Sequence, residues 1–496
     1  MNSEEFRDLG HRLIDWIADF RTNIADHPVR SKVEPGWVRR ELDRPLPRGP
    51  EDPQRIFDDL DRVVLPGLSH FQHPGYFAFF PANASLASVL GDLVSTGLGA
   101  VGLNWEAAPA LTEMEELVCD GLRRLLGLGP DWKGAIHDTA STANLVAALC
   151  GRERASGYGQ ERGGAAEGPP LTMYASEQAH SSVEKAMRLA GIGRRFIRLL
   201  PTDASFRLDT QALAKALERD ANRGLAPALV VACVGTTGTA SIDPVAEIVE
   251  CARPHGAWVH VDAALAGGAM ILEECRPLWQ GVEGADSIAI NAHKWIGTAL
   301  DCSLLYVRDP GHLVRVMSTD PSYLKNHRAD RVTQLRDWGI PLGRRFRALK
   351  LWFHLRLDGT AAIRARLRRD LANARWLREQ IEAAPHWKLT APPSLQTLCM
   401  RHEPEVGGAT LAGDALDAHT LAWVEAINEG GGAYLTPTRL EGRWTGRVSI
   451  GAELTERRHV EALWQQMRRA VGDALPARPP GEAPVEGEQQ AVPAPV

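Results

Sequence analysis

Apolar positions change their spacing several times along the chain, and each change predicts a different element. Residues 4–24 place Phe6, Leu9, Leu13, Ile14, Ile17 and Phe20 at helical intervals behind Asn2 and Ser3, an amphipathic helix with capping side chains at its start. Residues 28–53 hold six prolines and predict an irregular strap; a second helix, 53–65, stops at Pro66-Gly67. Two helices joined by a strap supply no core of their own, so they are expected to lie on the main body or on a second subunit. The run 86–103, small and apolar with four glycines, predicts buried helix or interface, and 109–126 a further amphipathic helix.

From Lys133 short apolar runs alternate with helical stretches. Strands are expected at 134–137, 171–175, 196–200, 228–234, 258–261 and 287–290, with helices at 143–154, at 209–219 and up to Cys251. This alternation predicts an α/β fold with a mostly parallel sheet. His180, Thr237, Asp262 and Lys294 each fall at or just past the C-terminal end of a strand, the edge where open α/β sheets bind ligands. After residue 350 a helical run at 351–381, strands at 395–401 and 447–450 and a helix at 455–471 predict a small α/β C-terminal domain. The expected division is an N-terminal helical segment 1–85, a large domain 86–350, the small domain 351–475 and a disordered Pro-, Glu- and Ala-rich tail 476–496.

Composition narrows the class. With 496 residues, 44% hydrophobic and 24% charged, the chain can build a large core. A net charge of −6 offers no basic field for nucleic acid or an anionic membrane, and no apolar run is long enough to span one. The acidic, amphipathic start does not read as a signal peptide. Seven scattered cysteines without a CxxC pair fit a reducing cytoplasm.

Candidate chemistry centres on residues 287–303, SIAINAHKWIGTALDCS. Lys294 follows a buried strand and sits beside Trp295, where burial lowers an amine's pKa and makes it a Schiff-base nucleophile. Asp262 ends the preceding strand. A pyridine-aldehyde cofactor needs both, a carboxylate at its ring nitrogen and a lysine at its aldehyde. The sequence Asp138-Thr139-Ala140-Ser141-Thr142 opens a helix; its hydroxyls serve either as caps or beside a phosphate. The stretch 70–85 carries five aromatics from Phe71 to Phe80, a core loop or the wall of an aromatic pocket.

Together these motifs are recognisable. EFRDLGHRLIDWI, VEPGW, HPGYFAFFP, QAHSSVEKA, HVDAALAG, NAHKW, DPSYLK and IPLGRRFRALKLWF occur in the order seen in group II pyridoxal-phosphate-dependent amino-acid decarboxylases, and the chain most resembles the aromatic-L-amino-acid decarboxylases over residues 4–470. The resemblance implies the fold type I transferase architecture, pyridoxal 5'-phosphate as cofactor and a cytoplasmic homodimer. It implies Lys294 as the lysine that carries the cofactor, Asp262 as partner of the pyridinium, His180 stacked on the ring, and Thr237 and Ala264 nearby. Ala140, Ser141, Asn291 and His293 are then expected at the phosphate. Tyr323 matches the tyrosine of a mobile loop, 318–337, that protonates the substrate carbon.

Phe79, Phe80, Pro81, Leu103, His180 and Gly343 are the expected substrate-pocket positions. Thr142 stands where many relatives have Glu, and Phe79 and Ala82 where animal relatives have Tyr and Thr, which removes possible substrate donors. Leu103 in place of Phe, and Gly343 where enzymes for phenolic substrates have serine, leave room for an indole. Tryptophan is therefore placed ahead of phenylalanine, tyrosine and DOPA. The alternatives are an aromatic aldehyde synthase, another fold type I enzyme such as an aminotransferase or a carbon–carbon lyase, and a non-catalytic scaffold. Retention of Tyr323 and His180 favours simple decarboxylation to amine and carbon dioxide.

Overall fold

A computed structural model describes residues 1–164, 167–319 and 331–473. Seven strands form its central sheet: β1 (Lys133–His137), β2 (Leu171–Ser176), β3 (Ile197–Leu200), β4 (Ala226–Cys233), β5 (Trp258–Asp262), β6 (Ser287–Asn291) and β7 (Ser303–Val307). Their order is β1-β7-β6-β5-β4-β2-β3, and every pairing from β6 to β3 is parallel. β5, β6 and β7 are buried at every position, because helices cover both faces of the sheet. Apolar cores lie on either side, one around Val259, Val261 and Ile288, the other around Val231, Ala289 and Leu305.

The sequence pattern did not predict β7. It runs antiparallel between β1 and β6, pairing Asn291 with Ser303 and His137 with Ser303. The connection from β6 is too short to hold a crossover helix, so the chain can only turn back along its own strand. This return places the Lys294 turn directly above the sheet edge. The helix expected from residue 143 begins three residues earlier and spans Ala140–Ala155.

Past residue 384 the strands are β8 (Trp387–Leu389), β9 (Thr397–His402), a two-residue pair β10 (Glu405–Val406) and β11 (Ala409–Thr410), β12 (Thr436–Leu440) and β13 (Arg443–Ser449). A second, wholly antiparallel sheet has the order β12-β13-β9-β8. The helices Gly359–Ala383, Gly413–Glu429 and Arg457–Asp473 contribute to its core through Leu377, Trp423 and Leu463. The helix Gly413–Glu429 and the strands β8 and β12 were not expected from the sequence.

The N-terminal helix Ser3–Thr22 is capped at Asn2 as expected, in a capping box with Glu5, but none of its residues is fully buried. The run 86–103 departs from the first of its two expected readings, a buried helix. Its helix stops at Gly97 and is turned inside out: Ser88, Gly91 and Ser95 are buried, while Leu90, Leu93 and Val94 are 43%, 50% and 40% exposed. Gly91 is required there, since a Cβ would lie 2.7 Å from the Leu349 carbonyl oxygen and the Lys350 Cα. No helix among the described residues is long and apolar enough to cross a membrane.

Candidate active site

Lys294 lies in a tight turn, Ala292–Ile296, that closes the end of β6, with non-helical φ −97° and ψ −111°. Asn83 holds the turn: its Nδ2 donates to the Lys294 carbonyl at 3.1 Å and to that of Gly451 at 2.8 Å. The amine lies 5.5 Å from the centroid of the Phe80 ring. Burial lowers its pKa, and the Arg447 charge works in the same direction against the opposing pull of Asp262.

A cavity of about 200 Å³ joins Lys294 to Phe80, Ala140, Ser141, His180, Thr237, Asp262, Ala264, Asn291 and His293. Every expected cofactor residue lines it. Asp262 accepts the Ala264 N–H at 3.1 Å through Oδ1 and the Asn144 Nδ2 at 3.1 Å through Oδ2. His180 starts the helix Ser181–Leu189 and accepts the Ser182 N–H on Nδ1 at 3.2 Å. Its pKa is lowered, chiefly by burial. Burial likewise takes His293 down to about 4, while its Nδ1 accepts the Cys302 N–H at 3.0 Å. Thr237 follows Gly235, whose φ of +94° and close approach to the Ala266 methyl, 2.8 Å from a Cβ, exclude other residues.

The helix Ala140–Ala155 begins against this cavity without a side-chain cap from Thr139, so of the two readings of its hydroxyls the capping one is not realised at that residue. First-turn N–H groups have no intrahelical partner and suit an anion. Asn291 Oδ1 is buried without a hydrogen-bond partner. A buried low-pKa amine, a carboxylate and an uncapped helix start around one small cavity match the aldehyde, the ring nitrogen and the phosphate of pyridoxal phosphate. The residues present fit that group.

A second cavity, about 580 Å³, adjoins the first through Phe80, His180, Thr237 and Lys294 and adds Phe79 and Arg447. Phe79 has φ 44° and is 53% exposed. Pro81 is buried against Gly451 and lines neither cavity. Leu103 and Gly343 also line neither; they sit together, a Cβ on Gly343 falling 4.0 Å from Leu103 Cδ2 and 3.8 Å from Val101 Cγ1. Leu103 is 43% and Val101 52% exposed. Tyr323 lies outside the described residues.

The sequence reading missed two site residues. Asn83 had no signal beyond its place after an aromatic cluster. Arg447 had one: a cation inside the apolar strand RVSI. It is 3% exposed, donates from Nε to the Gly238 carbonyl at 3.0 Å and from Nη1 to the Phe79 carbonyl at 2.5 Å, and stacks 4.6 Å over Phe80. Its Nη2 is buried without a partner, and burial lowers its pKa to about 10.

A mostly parallel sheet carrying a lysine and an aspartate at adjacent strand ends, over an uncapped helix start, defines a fold type I pyridoxal-phosphate enzyme. The pyridoxal-dependent decarboxylase conserved domain matches residues 35–403. Among similar proteins, tryptophan decarboxylase 2 of Oryza sativa is 37% identical over 482 residues, 94% of this chain and 95% of its own length. Phenylacetaldehyde synthase of Arabidopsis thaliana is 38% identical over 476 residues, 94% and 95% of the two lengths. The crystal structure of Oryza sativa TDC with PLP and tryptamine superposes with a TM-score of 0.92 at 36% identity, covering 95% of this chain and 99% of that one. The chain belongs to the pyridoxal-dependent decarboxylase family and is a pyridoxal-phosphate-dependent carboxy-lyase.

Proposed function

We propose that the chain decarboxylates an aromatic L-amino acid, tryptophan ahead of phenylalanine, tyrosine and DOPA, to the arylalkylamine and carbon dioxide, acting as a cytoplasmic homodimer. The observation that carries this reading is the continuity of two cavities: the one around Lys294 and Asp262 opens into one lined by Phe79, Phe80 and Arg447, whose Nη2 alone has no partner. Similarity to a tryptophan decarboxylase over nearly the whole of both chains supports the substrate class.

Bound pyridoxal phosphate supplies the electron sink for the pair released when the carboxylate bond breaks. Lys294, whose pKa burial lowers, would hold the aldehyde. Asp262 would hold a proton at the ring nitrogen, and His180 would stand beside the ring. Ala140, Ser141, Asn291 and His293 would hold the phosphate, with Thr237 and Ala264 completing the wall. Phe80 and Arg447 orient the substrate, the first by its ring and the second through its spare N–H on the carboxylate. Tyr323 delivers the proton to the substrate carbon.

The homodimer rests on the outward stripe of Leu90, Leu93 and Val94 and on the N-terminal helix, none of whose residues is fully buried. It also accounts for Leu103 and Gly343, which are exposed, line neither cavity and would reach a substrate only in a neighbouring subunit's site. On this reading residues 1–85 serve the subunit contact, 86–350 hold the cofactor and 351–475 close the site through Arg447.

The test is an end-point assay of cofactor-loaded protein with tryptophan, phenylalanine, tyrosine, DOPA, histidine and glutamate, following amine, aldehyde and carbon dioxide together. Equal amine and carbon dioxide from an aromatic substrate supports the proposal; aldehyde with ammonia supports the synthase reading that the Arabidopsis relative keeps open. Tyr323→Phe is expected to retain cofactor absorbance and shift product from amine to aldehyde. Unchanged amine output would remove Tyr323 from the proton-donor role.

A further inference from the structure

Behind Asp262 runs a buried chain of hydrogen bonds that the reaction above does not use. Trp258 Nε1 donates to Ser287 Oγ at 2.7 Å, Ser287 Oγ lies 2.8 Å from His260 Nδ1, and His260 Nε2 lies 2.9 Å from Asn144 Oδ1. Asn144 Nδ2 then reaches Asp262 Oδ2 and Ser182 Oγ, each at 3.1 Å. Ser182 Oγ lies 2.7 Å from His180 Nδ1. Asn144 and Ser287 are 2% and 0% exposed, and Trp258 and His260 are fully buried.

Donor and acceptor counting gives this chain a single direction. An indole N–H only donates and an ionised carboxylate only accepts, so the two ends are fixed. Asn144 must turn its NH₂ to the carboxylate, which leaves Oδ1 facing His260 and requires a hydrogen on His260 Nε2. Burial takes the His260 pKa down to about 4, so the ring is neutral and its Nδ1 accepts the Ser287 hydroxyl. Ser287 in turn accepts from Trp258. The second Asn144 hydrogen occupies a lone pair of Ser182, whose own hydroxyl donates to His180 Nδ1. That makes Nε2 the protonated nitrogen of His180.

We propose that Asn144 is a positioning residue that sets the proton direction at both Asp262 and His180, backed by the donor series from Trp258 through Ser287 and His260. It gives the carboxylate a donor that carries no charge to compete with the cofactor ring, and it fixes the tautomer of the stacked histidine. The inference rests on the reading of Asp262 as the ring-nitrogen partner. A buried asparagine that only satisfies its neighbours would give stability and nothing more.

The experiment compares Asn144→Ala, His260→Phe, their double variant and Asp262→Ala. Three quantities are measured: the dissociation constant for pyridoxal phosphate from tryptophan fluorescence of the apoprotein, the pH midpoint of the bound cofactor's visible absorbance, and Tm. Asn144→Ala is expected to weaken cofactor binding about tenfold and to move the absorbance midpoint by roughly one pH unit. His260→Phe is expected to shift both in the same direction by less, and the double variant to match Asn144→Ala, because His260 acts through the amide. A lowered Tm with wild-type affinity and midpoint in Asn144→Ala would reduce Asn144 to a structural role and overturn the proposal. If Asn144→Ala does not fold, His260→Phe decides by the same two readouts. Should Asp262→Ala also leave both unmoved, the cofactor reading itself fails; should Asp262→Ala move them while the other variants do not, only the role of Asn144 falls.

Discussion

The strand-edge cavity and the outward face of the helix Leu86–Gly97 are built on opposite rules. At the cavity, polar and titratable groups are enclosed and nearly all matched: Asp262 has two N–H donors, His293 accepts the Cys302 N–H, and Asn144 makes three side-chain hydrogen bonds, two from Nδ2 and one at Oδ1. At the helix the small and polar residues face inward, and the leucines face out. The cavity is finished within one chain. The face is not, because exposed apolar stripes of this size cost solubility unless a partner covers them. The expected cofactor residues all line that one cavity, whereas Leu103 and Gly343, the positions expected to discriminate between side chains of the substrate, line neither cavity; on the dimer proposed above they would act in a second copy.

The largest effect tests the finished region. Lys294→Ala is expected to lower kcat by at least about 1,000-fold, since it removes both the covalent anchor and a proton carrier. Tm of the apoprotein should hold or rise, because the wild-type amine is enclosed against its preference, as its lowered pKa attests. A variant that keeps wild-type turnover would break the assignment of the cavity. Next comes the unfinished region. Leu90→Asp with Leu93→Asp is expected to leave the cavity intact yet give a monomer by light scattering, with activity reduced by about 100-fold or more, as two charges prevent burial of the stripe. A variant that keeps the wild-type oligomeric state would show that the stripe is not the subunit contact, and a fully active monomer would show that the site needs nothing from a second copy.

Acid separates the two regions more gently. Burial holds the pKa of His260, His293 and His354 at about 4 and that of His137 at about 3. In the unfolded chain each returns to about 6.5. Between pH 6.5 and 4 the unfolded state therefore binds more protons than the folded one, so stability rises with pH and is lost as pH falls through that window. Calorimetry is expected to show Tm lower by at least about 5 °C at pH 5 than at pH 7. His260→Phe should weaken that dependence; changes at Leu90, Leu93 and Val94, which carry no titratable group, should not alter it.

The sequence was most legible where one short segment carries both the strand and its chemistry. Asp262 ends β5 and Lys294 follows β6, so an apolar run and the residue after it were enough to place each at the sheet edge. β7 was not visible, because a five-residue buried strand after a tight turn has no alternation to read and takes its direction from the connection. Arg447 escaped for a different reason. Its strand was expected, but a single cation in an apolar run discloses its task only when Phe79, Phe80 and Gly238 are brought against it by distant parts of the chain. Asn144 is likewise one polar residue in an alanine-rich helix until His260 and Asp262 arrive. The helix Leu86–Gly97 was read as buried or interfacial from composition; which side faces out depends on the close approach of Gly91 to Leu349 and Lys350.

The smallest effect bears on what the face contributes to the chemistry. A Cβ on Gly343 meets nothing nearer than 3.8 Å, so Gly343→Ser is accommodated without strain and should leave Tm within about 1 °C. Its hydroxyl occupies space beside Leu103 that an indole would use, and side-chain discrimination in apolar pockets is worth only about 1–3 kcal/mol per group changed. The expected outcome is a shift of about tenfold in the ratio of kcat/KM for tryptophan to that for tyrosine, in favour of tyrosine, with cofactor affinity unchanged. Because Gly343 lines neither cavity of its own chain, the shift requires that it act across a subunit boundary. Mixed dimers decide this. A chain carrying both Lys294→Ala and Gly343→Ser, paired with a wild-type chain, should show the altered ratio if the serine reaches the partner's site, and the wild-type ratio if it serves only its own.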